Sequence, residues 1–262
     1  MTPPVVLTIA AHDPLGGAGI AADLTTFAAL GVHGMVAVTA VSAQRFDAVE
    51  QVVATPADLL ARQLDGVIAS ATVAAVKVGL LFDPAQVEVV VERVADGRLP
   101  APVVDPVMVD GRGTRFVATE IEAAARAQLF PLTAVLTPNR AEATLLGGSS
   151  TELAGLGAGL VVVTGGGARA TDLLVWSDGS TEELTGEWVD TVNVRGSGCT
   201  FAAAVAAGLA RGADRAVAVR AAKDFVTARL RDSANWRVGP VGTVGPVAHR
   251  LIDAAEPSRQ GT

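Results

Sequence analysis

The stretch RGSGCTFAAAVAAGLA, Arg195 to Ala210, sets Gly196, Ser197 and Gly198 directly ahead of a long apolar helical pattern. A helix start leaves backbone N–H groups without intrahelical acceptors, and the helix dipole favours negative charge beside them. Small residues there let a phosphate approach the backbone. Cys199 and Thr200 follow on the first turn. Two other polar sets stand at the ends of apolar runs. Asp105 closes one in VVDPVMVDGRGTRF, and Asn139 and Glu142 follow another in LTPNRAEA. Carboxylates and an amide at strand ends suit a hydrated Mg²⁺, which takes few protein ligands and completes its shell with water and phosphate oxygens. Together with an anion-binding helix start, they suggest phosphoryl transfer. Each has a plainer reading as well: a glycine turn with a buried cysteine, loop charges, and for Asn139 a helix N-cap.

A second glycine cluster lies in AAHDPLGGAGIAADLTTF, where Gly17 to Ala22 fits G-x-G-x-x-A. A dinucleotide fingerprint needs a tight turn from strand to glycines and an acidic residue about 20 positions on. Here His12 to Gly16 intervene, and the next strand, MVAVTAVSA, has no acid. The cluster reads better as a loop around a small substrate, with Asp23 one helical turn in, or as a packing loop. No G-x-x-x-x-G-K-[ST] occurs, so this is no P-loop enzyme.

These residues need a scaffold that gathers them. Candidate strands are Val5–Ala10, Met35–Val41, Ala74–Val78, Val103–Asp105, Ala134–Leu136 and Leu160–Val163, mostly continuous apolar runs, as in parallel sheets buried on both faces. Helical patterns cover Ile20–Leu30, Pro56–Ser70, Pro84–Ala95, Thr119–Leu129, Asn139–Leu146, Cys199–Arg211 and Ala213–Arg231. DLLVWSDGSTEELTGEWVD reads as a strand, an Asp178-Gly179 turn and a second strand. The expectation is one doubly wound α/β domain over residues 1–262, with an antiparallel addition, a tail over about 245–262, and ligands at the carboxyl ends of the strands.

Composition narrows the classes. A net charge of −7 without a basic run argues against nucleic acid as a partner. One cysteine excludes a disulfide framework, and His12, His33 and His249 lack metal-ligand spacing. No apolar run reaches the roughly 18 residues of a membrane span. MTPPVVLTIAAHDP shows no charged leader and no cleavage site, so a cytoplasmic location is expected and no membrane partner.

The stretches LTIAAHDPLGGAGIAADLTTFAALGVHGMVAVTAVSAQ, VKVGLL, VVDPVMV, LTPNRAEA, VVVTGG and DTVNVRGSGCTFAAAVAAGLA occur in the order found in one family. The chain resembles the hydroxymethylpyrimidine/phosphomethylpyrimidine kinases of thiamin biosynthesis, in the ribokinase superfamily. The resemblance implies a ribokinase-like three-layer α/β/α sandwich with a mostly parallel central sheet. It implies transfer of the γ-phosphoryl of ATP, with Mg²⁺, to 4-amino-5-hydroxymethyl-2-methylpyrimidine, its monophosphate, or both. By position, Asp23 and Gln44 match the residues that hydrogen-bond the aminopyrimidine, Ala11, Ala18 and Leu80 line its pocket, and Ser42 stands where an apolar residue is common. Asp105 and Glu142 would organise Mg²⁺ and phosphates, Gly196 to Cys199 the anion hole, and Cys199 takes the position of the catalytic base. A thiol at a helix N-terminus is expected to have a lowered pKa. Family members are often homodimers.

The chain also departs from the family pattern. Thr164-Gly165-Gly166-Gly167 replaces a common K-G-G-H, removing a lysine that would meet nucleotide phosphate. DGRGTRF lacks the usual lysine, for which Arg112 or Arg115 would substitute, and Arg195 stands where histidine is frequent. With Asn139, Thr164 and Gly166, these arginines make up the expected nucleotide side. Rival readings are a pyridoxal kinase, which shares the fold and accepts a hydroxymethyl ring, a pyrimidine-binding protein with weakened or lost kinase activity, a ribokinase-type sugar kinase, and a Rossmann oxidoreductase.

Overall fold

The computed structural model describes residues 2–109, 115, 117–165, 170–239 and 244–248. Its strands are β1 (Val5–His12), β2 (His33–Gln44), β3 (Val49–Ala54), β4 (Val73–Val78), β5 (Val103–Val104), β6 (Val135–Leu136), β7 (Leu160–Val163), β8 (Thr171–Trp176) and β9 (Thr181–Thr185). They form one sheet in the order β3-β2-β1-β4-β5-β6-β7-β8-β9. The strands from β2 across to β7 run parallel, while β3, β8 and β9 each join antiparallel. The middle of β1 and all of β7 are buried, as the continuous apolar runs require.

The helices are α1 (Gly19–Ala29), α2 (Ala57–Ser70), α3 (Pro84–Ala95), α4 (Thr119–Ala124), α5 (Arg140–Leu145), α6 (Ser150–Ala154), α7 (Ser197–Ala210) and α8 (Arg215–Ser233). Two apolar cores lie on opposite faces of the sheet. One joins Leu60, Leu64, Val87 and Val90 of α2 and α3 to Leu7, Ile9, Val76 and Val78. The other joins Phe27 of α1, Phe201 to Ala207 of α7 and Val219 and Phe225 of α8 to Val6, Ala75 and Val103. The alternation of buried side chains along β1 and β4 divides them between the two cores, which gives the three-layer α/β/α sandwich. Alanines let α7 lie close to its neighbours: a Cβ on Gly208 would come within 2.9 Å of the Ala218 side chain.

Several elements differ from expectation, among them the short helix α6, which was not anticipated. β3 was not anticipated; all six of its residues are exposed, and its VEQVVA alternates too weakly to mark a strand. Pairing with β2 makes it one. The helix expected over Thr119–Leu129 ends at Ala124, continues as a π-helical turn over Ala125–Leu129 and closes in a 3₁₀ turn containing Pro131. Proline supplies no N–H, so the regular ladder stops there. α7 starts at Ser197, which moves Cys199 to its third position. Residues 244–248, expected in part as a tail, are packed: Val247 and Ala248 are buried, and Arg195 exchanges backbone hydrogen bonds with this segment, Arg195 N–H to Gly245 O and Val247 N–H to Arg195 O.

The chain runs from β1 outward to β2 and β3, then returns to β4 on the other side of β1. A sheet that reverses direction in this way opens a crevice at the carboxyl ends of the two strands.

Candidate active site

A cleft of about 550 Å³ occupies that crevice. Ala11, His12 and Asp13 enter it from the end of β1, Ser42 and Gln44 from β2, Leu80 and Phe82 from beyond β4, and Asp105 from beyond β5. Asn139 and Glu142 close it from the start of α5, and Arg195 to Cys199 from the start of α7.

The floor at α7 is built by close backbone approach. Gly196 has φ +80°, and a Cβ there would collide with the Gly17 carbonyl oxygen. Gly19 has φ +55°, and a Cβ there would collide with the Ala11 carbonyl oxygen. Only glycine fits either place, and between them they bring the two glycine clusters of the sequence into contact. Ser197 N–H turns back to Val194 O and Thr200 N–H makes the first helical bond to Gly196 O. Among the described residues the N–H groups of Gly198 and Cys199 have no backbone acceptor, so they remain for an anion, aided by a 14-residue helix.

The acidic wall is held by a strained turn. Val107 has φ +41°, rare for a β-branched residue. The turn aims the Val107 N–H at the Asp105 carboxylate, and Met108 N–H at Glu142 Oε1, 2.8 Å away. Glu142 Oε2 accepts from Asn139 N–H at 2.9 Å, while Asn139 Oδ1 accepts from Glu142 N–H, a capping box that fixes both side chains. Burial pushes Asp105 up to about 6, with Lys77 opposing the rise. Burial and the Asp105 charge push Glu142 up to about 7. Two buried carboxylates that resist ionising alone are a donor set for a hard cation. Mg²⁺ needs only one or two of them beside water and phosphate oxygens, so these residues fit it.

Beneath the cleft lies a charge that the sequence motifs do not reveal. Lys77, fully buried on β4, reaches the floor and pairs with Asp23 of α1, Nζ to Oδ2 2.9 Å. Thr8 Oγ1 donates to the same oxygen at 2.6 Å. Burial opposes the Lys77 charge, but Asp23, Cys199 and Asp105 outweigh it and hold the ammonium protonated. A lysine inside the apolar run VAAVKV was the available signal, because an unpaired lysine is almost never fully buried.

Two expectations are corrected here. Asp23 is fully buried, engages Thr8 and Lys77, and does not line the cleft; Asp13, ten residues earlier, does. Cys199 does not have a lowered pKa. Burial pushes its thiol up to about 12, with Asp105 and Asp23 adding to the rise, and Lys77 and the Gly19 N–H only partly offset them. A helix N-terminus lowers a thiol pKa where the site is open or basic; this one is packed and acidic.

The other predicted residues divide between three places. Ala11, Ala18, Ser42, Gln44, Leu80, Asp105, Asn139, Glu142, Arg195, Gly196, Ser197, Gly198 and Cys199 all line the one cleft. Thr164 stands outside its lining, paired with Asn139 and bonded through its N–H to Pro138 O. Arg112 and Gly166 lie outside the described residues. Arg115 does line the cleft, with Nη1 2.8 Å from Glu122. Arg195 is paired with Asp13. Sequence motifs did not single out Asp13, Phe82, Val107, Val109 or Val194, which complete the wall. The fold alone brings such residues to the crevice.

Sheet order and cleft together define a small-molecule kinase of the ribokinase-like fold. Comparison with solved structures agrees: a Bacillus subtilis pyridoxal kinase in complex with ADP superimposes with a TM-score of 0.85 at 36% identity, covering 95% of this chain and 98% of that one. A phosphomethylpyrimidine kinase from Clostridium difficile superimposes with a TM-score of 0.76 at 30% identity, covering 86% and 98%. The chain belongs to the phosphomethylpyrimidine kinase family, whose profile matches residues 13–247, and it is a phosphotransferase. A hydroxymethylpyrimidine/phosphomethylpyrimidine kinase of Streptomyces coelicolor is 40% identical over 263 residues, covering 95% of each chain.

Proposed function

We propose that the protein transfers the γ-phosphoryl group of ATP, with Mg²⁺, to 4-amino-5-hydroxymethyl-2-methylpyrimidine, to its monophosphate, or to both. The observation that carries this reading is one cleft uniting Gln44, the Asp105–Glu142 wall and the free N–H groups of Gly198 and Cys199. A flat ring fits between Ala11, Ala18 and Leu80, with Gln44 at its polar edge. Its hydroxymethyl or phosphate arm then faces the start of α7.

The acceptor oxygen forms the new O–P bond as the bond from the γ-phosphorus to the bridging β,γ-oxygen breaks, and ADP leaves with that electron pair. Such transfers pass through a loose transition state, so most of the catalysis is positioning and charge stabilisation. The N–H groups of Gly198 and Cys199 face the charge that spreads over the transferring oxygens. Mg²⁺ bound by Asp105 and Glu142 would neutralise phosphate charge. Cys199, a thiol in the ligand-free cleft, orients the acceptor hydroxyl by a hydrogen bond at its sulfur, and the hydroxyl proton passes to an oxygen of the transferring phosphoryl group as the O–P bond forms. Asn139 and Arg115, both in the cleft lining, would meet the nucleotide.

Pyridoxal is a second candidate acceptor, because the Bacillus subtilis structure that superimposes so closely is a pyridoxal kinase. An ADP-release assay with Mg-ATP, run in parallel on the pyrimidine alcohol, its monophosphate and pyridoxal, tests the reading. Turnover of either pyrimidine supports it, and turnover of pyridoxal alone overturns it.

A further inference from the structure

Asp13 is the hub of the cleft wall nearest the end of β1. Its Oδ1 accepts from Leu15 N–H at 2.9 Å and from Gln44 Nε2. Its Oδ2 accepts from Arg195 Nε and Nη2, at 3.3 and 3.1 Å. The residue is 5% exposed, so water competes little for these bonds. Arg195 is itself fixed: its main chain exchanges hydrogen bonds with the 245–247 segment, and its side chain runs so near Gly17 that a Cβ there would come within 3.3 Å of its Cδ. The loop after β1, the end of β2 and the approach to α7 thus meet on one side chain.

This geometry settles the orientation of an amide. An ion-paired carboxylate accepts hydrogen bonds and donates none. Gln44 must therefore turn its NH₂ toward Asp13. Its Oε1 has no hydrogen-bond donor among the described residues, although the side chain lines the cleft.

We infer that Asp13, clamped by Arg195, is a positioning residue that holds Gln44 with its acceptor oxygen toward the ligand, so that the cleft selects a ring whose facing edge carries a hydrogen-bond donor. The inference rests on the substrate reading above and deepens it. An amino group on the ring meets Oε1 as a donor. A ring with a carbonyl oxygen at that position sets two acceptors face to face. A site built to bond one group rejects an analogue that cannot return the bond far more strongly than an apolar pocket rejects a change of size. Arg195 also precedes the anion hole by one residue, so the same clamp ties ring orientation to the place of transfer.

The test compares the aminopyrimidine alcohol with its counterpart bearing an oxo group in place of the amine, using the full chain with Mg-ATP. Both share the hydroxymethyl arm, so the ratio of their kcat/KM values cancels any effect on the transfer step. Wild type is expected to favour the amine by about 10³-fold or more. In Asp13→Asn the residue at 13 donates as well as accepts, Gln44 is free to turn over, and the ratio should fall at least about tenfold, mainly through KM for the amine. Arg195→Gln, which leaves the carboxylate but removes its clamp, should narrow the ratio in the same direction and serves if Asp13→Asn does not fold. A wild-type ratio in either folded variant overturns the inference while leaving the substrate reading intact. Failure of wild type to phosphorylate the amine overturns both.

Discussion

The Lys77 ammonium lies 2.9 Å from the Asp23 carboxylate, with both side chains wholly out of solvent beneath the active-site cleft. The pair joins β4 to α1, and Asp23 Oδ1 has no hydrogen-bond partner among the described residues. Removing one partner of a buried ion pair leaves an uncompensated charge and costs about 3–5 kcal/mol. Lys77→Met should therefore lower stability by about that amount in urea denaturation. The double variant Lys77→Met with Asp23→Leu should recover at least half of the loss. Equal stability of the single and double variants would show that the charges are not coupled.

Cys199 is the only cysteine in the chain, so its chemistry can be read without interference. With its thiol pushed up to about 12, the reactive thiolate is scarce at pH 8. Alkylation by iodoacetamide in the ligand-free protein should run about 10²-fold or more slower than for free cysteine, measured by mass spectrometry. The same residue should matter unequally for the two acceptors. An alcohol has a proton to place, whereas a phosphate monoester is mostly ionised at pH 7. Cys199→Ala should cut turnover of the alcohol about 10²-fold and that of the monophosphate much less. Equal losses on both acceptors would refute the assignment.

Gly196 bears on the opposite question, whether the anion hole depends on backbone shape. Its φ of +80° and its close approach to Gly17 O leave no room for a side chain. Gly196→Ala must move the start of α7, and kcat should drop about 10²-fold or more, with KM for the acceptor changing less. Retention of wild-type kcat would remove the α7 N–H groups from the mechanism.

Asp105 and Glu142 make the metal-free protein sensitive to pH. Both are raised in the folded state, to about 6 and about 7, above their ordinary values near 4. Their contribution to stability is full below about pH 4 and is lost as pH rises through 6 and 7. Between pH 5 and pH 8, stability without metal should fall by roughly 4 kcal/mol from this source, and Glu142→Gln should flatten the fall. Thermal melts at several pH values check both. A steeper fall in the variant than in wild type would contradict the assignment.

Much of this was legible along the chain. Apolar runs such as LVVV marked buried parallel strands, because β7 needs no alternation when helices cover both faces. Pro84 behind Asp83 marked the start of α3, where the Asp83 side chain accepts from Ala85 N–H. The glycines at 196 and 198, the strand-end Asp105 and the Asn139–Glu142 spacing reached the cleft because local rules place them: caps, turns and strand ends are properties of a few consecutive residues. Other features depend on partners far away in the chain. β3 exists only through its pairing with β2, and Asp13 meets Arg195 across 182 positions. Asp23 turned away from the ligand because Lys77, 54 residues later, offers it a charge in the core. The pKa of Cys199 went up because packing and two carboxylates outweigh a helix end. The sequence by itself determined the scaffold and the places where chemistry gathers. The tertiary structure decided which side chains face the ligand and what charge they carry, since burial and long-range electrostatics arise only once distant segments are packed together.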